Sequence, residues 1–313
     1  MKAKYLVIIG LLAATFAACS RDEESLFDKP AAQRAQEAIT NAFDVLTSNE
    51  TGWEMAYFPN LEASAKGYNM VLKFSKNGNV SVTAKNSATT MNKIMTDTAS
   101  TWAVKSDYGP ILTFDTYNDV FHAFSDPQND GAGLLGDYEF LILKAAPELV
   151  LLKGKKHSAY TVMRPMKNAN LEDYFAACEK MQSKLFGNNN IVTLTQGNNK
   201  MYLYKGAEGQ FQSAAYGSPL VAEAATYHPV CSTEDGIIVS TGFGEDVHDH
   251  IFYYDSIKGE LKSEQGAVMN AGNLNVLFGA YFTDNAFGWA VDPAGQEAVE
   301  ELLSAVNTAM NNT

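Results

Sequence analysis

The chain has 313 residues, 46% of them hydrophobic and 19% charged, with 23 basic against 36 acidic side chains and a formal net charge of −13. That acidity argues against nucleic acid, and against electrostatic attachment to an anionic surface, because both need a basic patch. Length and apolar content suffice to bury one large core or two smaller ones.

Lys2 and Lys4 followed by the apolar stretch Tyr5 to Leu12, with Ala13, Ala14 and Phe16, read as a signal peptide over residues 1–18. The apolar run is about half of the ~20 residues that a spanning helix needs. Ala17 and Ala18 stand directly before Cys19, the pattern of a bacterial lipoprotein processing site. Small residues leave the backbone open to the peptidase, and the Cys19 thiol is the nucleophile that accepts a diacylglyceryl group. Two or three acyl chains on one residue hold a protein to a leaflet, where a single chain is marginal. The alternative is an ordinary secretory leader in which Cys19 is incidental. Residues 19–29 are then an anchor and a tether, charged at Arg21-Asp22-Glu23-Glu24. Removal of residues 1–18 lowers the basic count from 23 to 21 against 36 acidic residues, a mature charge of −15.

Residues 30–187 read as a helix, an antiparallel β domain and a linking helix. Ile39, Ala42, Phe43 and Leu46 recur at helical spacing between Pro30 and Thr47. From Trp53 the period changes to two. Trp53 to Phe58 and Tyr68 to Phe74 are strands, and Asn77-Gly78 turns the latter into Val80 to Ala84, with a type I′ turn expected. Trp102 to Lys105, Ile111 to Asp115, Val120 to Phe124, Tyr138 to Leu143, Leu149 to Lys153 and Tyr160 to Met163 continue in hairpin order. Such a meander buries its edges by closing. The fold class is mainly β (α+β): a lipocalin-like barrel, or a two-sheet sandwich, over about 50–166. Leu171 to Phe186 is a second helix. Residues 188–313 read as a second β-rich domain, with a hairpin at Gln196-Gly197-Asn198-Asn199 and strands at Gly236 to Ser240, Ile251 to Asp255 and Glu260 to Ser263. A C-terminal helix follows Asp292-Pro293, with Val299, Leu302, Leu303, Val306 and Met310 on one face. No repeat of fixed period stands out.

Few residues point to chemistry. Asp246, His248 and His250 carry the ligand types of a zinc or copper site, set against the plainer reading of a solvated loop. Asp126 to Asp137 imitates a calcium loop without its terminal glutamate, and Asp137 with Glu139 places two carboxylates on one strand face. Trp53, Trp102 and Trp289 are candidates for a sugar-stacking surface, against the alternative of core packing. Cys178 and Cys231 either pair as a disulfide, closing a loop that is worth about 4 kcal/mol in a chain-entropy account, or stay as buried thiols. Lone His122, His157 and His228 read as structural. No nucleophile elbow, phosphate loop, dinucleotide fingerprint or His-Glu-x-x-His motif is present, and no cofactor is expected.

Cys19, the Leu26-Phe27-Asp28 segment, Arg34, Gly52-Trp53, Gly67-Tyr68-Asn69-Met70, Leu112-Thr113-Phe114-Asp115 and Gly136-Asp137-Tyr138-Glu139-Phe140 together resemble the lipoproteins grouped as domain of unknown function 4302. The resemblance implies a surface lipoprotein of Bacteroidota type, often encoded beside outer-membrane nutrient importers, and brings no catalytic residues. The acidic run after Cys19 is similar to the export signal of such proteins. The expected function is a non-enzymatic accessory protein, lipid-anchored on the outer membrane, that captures a glycan or peptide beside an importer. The alternatives are an envelope hydrolase with an unrecognised carboxylate or histidine site, and a structural or adhesion module.

Overall fold

The computed structural model describes residues 29–61, 66–126, 133–186, 191–205, 209–213, 226–241, 243, 250–271 and 304. The expected leader, Cys19, the acidic run after it, Asp246, His248, Trp289 and the expected C-terminal helix face lie outside the described residues.

Helix α1 (Ala31–Ser48) leads into β1 (Trp53–Tyr57), β2 (Tyr68–Phe74), β3 (Asn79–Ala84), β4 (Met95–Ser106), β5 (Pro110–Phe114), β6 (Glu139–Ala146), β7 (Leu149–Gly154) and β8 (Tyr160–Pro165). Each strand pairs antiparallel with the next, and β1 pairs with β8, so the meander closes into a barrel. Alternation decides which side chains fill it. Met55 and Tyr57 of β1, Met70 and Leu72 of β2, Val80 and Val82 of β3, Leu112 and Phe114 of β5, and Val150 and Leu152 of β7 all join one core. Helix α1 closes one end by adding Ala42, Val45 and Leu46, and Phe43 stacks on Trp102 with centroids 5.2 Å apart. Both indole N–H groups are satisfied there, Trp53 donating to the Leu46 carbonyl at 3.0 Å and Trp102 to that of Ser75 at 3.2 Å.

Two local expectations change. The Asn77-Gly78 hairpin forms, but its loop has three residues: Ser75 N–H donates to the Asn79 carbonyl, Gly78 N–H donates to that of Ser75, and only Gly78 takes a positive φ, of 87°. This is a type I turn with a glycine bulge, which needs one left-handed residue where type I′ needs two. The stretch Val120 to Phe124 is no strand. Asn118 Oδ1 accepts from the Val120 and Phe121 N–H groups, and a 3-10 turn over His122–Phe124 follows. Val120, Phe121 and Phe124 still reach the barrel core, so an apolar run that plugs the barrel resembled one that lines it.

Helix α2 (Leu171–Phe186) starts at Asn170, whose Oδ1 accepts from the Glu172 and Asp173 N–H groups. After it come β9 (Ile191–Gln196), β10 (Asn199–Lys205), β11 (Gln210–Ser213), β12 (Thr226–Thr233), β13 (Gly236–Val239), β14 (Ile251–Asp255), β15 (Glu260–Ser263) and β16 (Val268–Ala271). Sequential antiparallel pairing, with β16 returning to β9, closes a second barrel. A helix followed by an eight-stranded meander thus occurs twice, with no matching repeat in the sequence. Among the described residues no helix is long and apolar enough to cross a membrane.

The barrels meet through their outer walls. Ala56 of β1 and Val162 of β8 face away from the first lumen and pack, with Phe58 and Ala159, against Cys231 of β12 and Ile238 of β13. This explains why every residue of β1 is buried: one face serves the lumen and the other the interface. Backbone approaches backbone at Gly67, whose N–H donates to the Val230 carbonyl at 3.0 Å, and a Cβ there would overlap Cys231. Arg164 lies buried in the same contact, paired with Glu54 and, at 2.9 Å, with Asp235 of the second barrel.

Candidate functional site

Among the described residues both barrel cores are packed with apolar side chains, and polar surface is found between elements. A cleft of about 380 Å³ opens where the start of β2, the β3–β4 loop and helix α2 converge, with Gly209 of the second barrel on its border. Its wall is built mainly from amide, hydroxyl and ammonium groups: Lys66, Asn69, Lys85, Asn86, Gln182 and Ser183, with Tyr68 and Phe175 as apolar surface.

The sequence builds this wall locally. Asn69 points away from the first lumen and donates through Nδ2 to the Ser232 carbonyl at 2.9 Å, tying the cleft floor to β12. Asn86 organises the β3–β4 loop: its Oδ1 accepts from Ala88 and Thr89 N–H, and its carbonyl accepts from Asn92 N–H. Asn86 Nδ2 is buried with no hydrogen-bond partner among the described residues. Met91 and Asn92 hold φ of 52° and 59°, a left-handed pair in which the methionine bears a cost of about 1–2 kcal/mol. Lys85 bridges to Glu179 of α2 at 2.6 Å, and Lys66 Nζ lies 5.5 Å from the Tyr68 ring centre. Burial pushes the Tyr68 hydroxyl above its usual range, so it stays a neutral donor.

The chemistry on offer is recognition of polar groups. The thiol in the wall, Cys178, is driven far above the usual thiol range by burial, with the nearby Glu54 charge adding to the effect, so it is no thiolate nucleophile. Among the described lining residues there is no histidine to act as a base.

The residues singled out in the sequence do not converge on this cleft. Trp53 and Trp102 are 0% and 4% exposed, so neither ring is free to stack on a sugar; a tryptophan platform is corrected at both positions, because each indole caps the core beneath α1. Cys178 and Cys231 are free, buried thiols and form no disulfide, one on the packed face of α2 against Val71 of β2 and the other in the contact between barrels. Of the expected metal ligands, His250 is described: its Nδ1 is 2.9 Å from the Val239 carbonyl, which fixes the ring as a strand-end donor against Tyr160. No group of three metal-ligating side chains occurs among the described residues. Asp137 is 6% exposed and accepts from Lys156 and His157 N–H, so it braces the β7–β8 turn, while Glu139 pairs with Lys155.

One arrangement escaped sequence reasoning altogether. Ser213 Oγ lies 2.8 Å from His228 Nε2, and His228 Nδ1 lies 3.2 Å from Thr241 Oγ1. The spacing matches a nucleophile and base, but the orienting group is a neutral threonine and both partners are buried beside Phe243 in the second barrel. The arrangement satisfies a buried imidazole. Adjacent strands β11 and β12 bring the pair together, and nothing in the spacing of 213, 228 and 241 announces it.

No curated protein and no solved structure matches the chain. Residues 23–248, which take in the whole first barrel and β9 to β13 of the second, match one family, and the chain belongs to it: Domain of unknown function (DUF4302).

Proposed function

We infer that this protein is a lipid-anchored outer-membrane protein of Bacteroidota type that captures a polar nutrient, a glycan or a peptide, at the cell surface for a neighbouring importer. The observation that carries the reading is the contrast between two lumens packed with side chains and a polar cleft between elements of both barrels. A ligand pocket of several hundred Å³ with convergent amide and ammonium groups suits a ligand rich in hydroxyls or peptide bonds. Anchoring rests on Lys2, Lys4, the apolar leader and Cys19, and outward display on the acidic run after it.

The test has two arms. Palmitate labelling of cells expressing the chain should tag it, and Cys19→Ala should abolish the tag and release the protein from membranes. Calorimetry on the detergent-extracted chain against oligosaccharide and peptide panels should find a ligand whose affinity drops at least tenfold in Lys85→Ala or Gln182→Ala. The Lys85–Glu179 pair is partly open to solvent, its glutamate more than half exposed, and adds little to stability, so the variants should fold normally. Absence of label at Cys19 would sink the localisation, and unchanged affinity in both cleft variants would sink the assignment of the cleft.

A further inference from the structure

The connection between β5 and β6 carries three aromatic rings in contact at the surface. The His122 ring lies 5.3 Å from that of Tyr117 at 29° and 5.2 Å from that of Tyr138 at 33°. His122 is 9% exposed, whereas Tyr117 and Tyr138 are 52% and 45% exposed, so the tyrosines cover the imidazole and still present ring surface to solvent. The pile is held in place from below. Fully buried Asn118 donates its N–H to His122 Nδ1 at 3.0 Å, which puts the proton of the neutral ring on Nε2, and burial lowers the affinity of that ring for a second proton. The Tyr117 hydroxyl donates to Asp126 Oδ2, which fixes the direction of that ring. Asp97 accepts from Asp119 N–H and from Ala99 N–H, both at 2.7 Å, and the Asp97, Asp119 and Asp126 carboxylates lie near enough for their charges to act on the Tyr117 and His122 rings.

We propose that Tyr117 and Tyr138, braced by His122, form a carbohydrate platform for a neutral oligosaccharide of equatorially linked pyranoses. Such sugars present flat C–H faces, which pack on the electron-rich faces of aromatic rings. The carboxylates at the margin accept hydrogen bonds from sugar hydroxyls and repel acidic sugars, in keeping with the net charge of −13. The His122 and Tyr117 rings, already held by Asn118 and Asp126, lose little freedom on binding. The platform rests on the reading of the protein as a nutrient binder and narrows the ligand to neutral glycan.

The test is calorimetry on the full chain in detergent with cellohexaose, xylohexaose and mannohexaose, and with trigalacturonate as the acidic comparison. At least one neutral hexaose should bind, trigalacturonate at least tenfold more weakly. Tyr117→Ala and Tyr138→Ala should each weaken binding tenfold or more, while Tyr138→Phe, which keeps the ring, should stay within threefold of the parent. Far-UV circular dichroism and thermal midpoints establish that the variants are folded. Failure of all three neutral hexaoses to bind, or equal affinity in both alanine variants, overturns the platform. If the tyrosine variants bind as the parent does and Lys85→Ala does not, the platform falls and the cleft reading stands; the converse result removes the cleft and keeps the platform.

Discussion

Replacing Arg164 with methionine should destabilise the protein by about 3–5 kcal/mol, the range for removing one member of a buried ion pair. The side chain is 7% exposed and joins Glu54, whose side chain is 5% exposed, to Asp235 across the contact between barrels. Loss of the guanidinium affects the two carboxylates unequally. Asp235 keeps Lys167 at 2.8 Å and the Thr233 hydroxyl at 2.9 Å, and its side chain is 26% exposed. Glu54 keeps no cation, only the neighbouring Tyr174 hydroxyl, and its Oε2 has no hydrogen-bond partner among the described residues. Burial raises the Glu54 carboxyl even with Arg164 in place, so without it the group should take up a proton rather than stay as a bare buried charge. Protonation limits the loss to the lower part of the range at pH 5 and leaves the upper part at pH 8. Adding Glu54→Leu to Arg164→Met should recover most of the stability, because an apolar pair of similar volume is often as stable as a buried ion pair. Urea denaturation of the four members of the cycle, followed by circular dichroism at both pH values, measures this. A single-variant loss under about 1 kcal/mol, or a coupling energy under about 0.5 kcal/mol, would refute the claim that the two side chains act as a unit.

Leu46→Ala should lower unfolding free energy by about 2–5 kcal/mol and the thermal midpoint with it, since this fully buried residue joins α1 to the first core; a change under 1 kcal/mol would show that α1 does not hold the barrel closed. The Asp235 carboxyl is held below its ordinary range by Arg164, Lys167 and Thr233, against the opposing effect of burial. A lowered native value gives stability that is full above the unfolded value of about 3.9 and fades as pH falls through the native one. Asp235→Asn should therefore flatten the fall in stability below pH 4, and parallel curves for variant and parent would contradict this. Burial holds the Cys178 and Cys231 thiols well above the usual range, so iodoacetamide at pH 8 should label both in urea and neither in the native protein; native labelling at the denatured rate would exclude the buried placement.

Much of the first barrel was legible because period-two alternation and polar turns are local properties. Tyr68 to Phe74 and Val80 to Ala84 pair in the expected hairpin, through a three-residue loop in place of a type I′ turn, and the meander closes. The second barrel was less legible. Its β12 carries His228-Pro229, a pairing that reads as a break, and β11 is only Gln210–Ser213, too short to show a period. The candidate site was hardly legible at all. Tryptophan was the aromatic residue to suspect, yet the two described tryptophans cap the core, while Tyr117 and Tyr138, both exposed, flank a connection whose apolar residues suggested a strand.

By itself the sequence determined the leader pattern ahead of Cys19, the acidic character, the family and the β meander, all of which are properties of composition or of residues close together along the chain. Tertiary structure decided that the strands close twice, that both lumens are filled, and that Asn69, Asn86 and Gln182 share one wall. It also decided that the outer faces of β1 and β8 are buried: alternation tells which residues point to opposite sides, but which side meets solvent depends on a partner more than 60 residues away, such as Asp235 for Arg164.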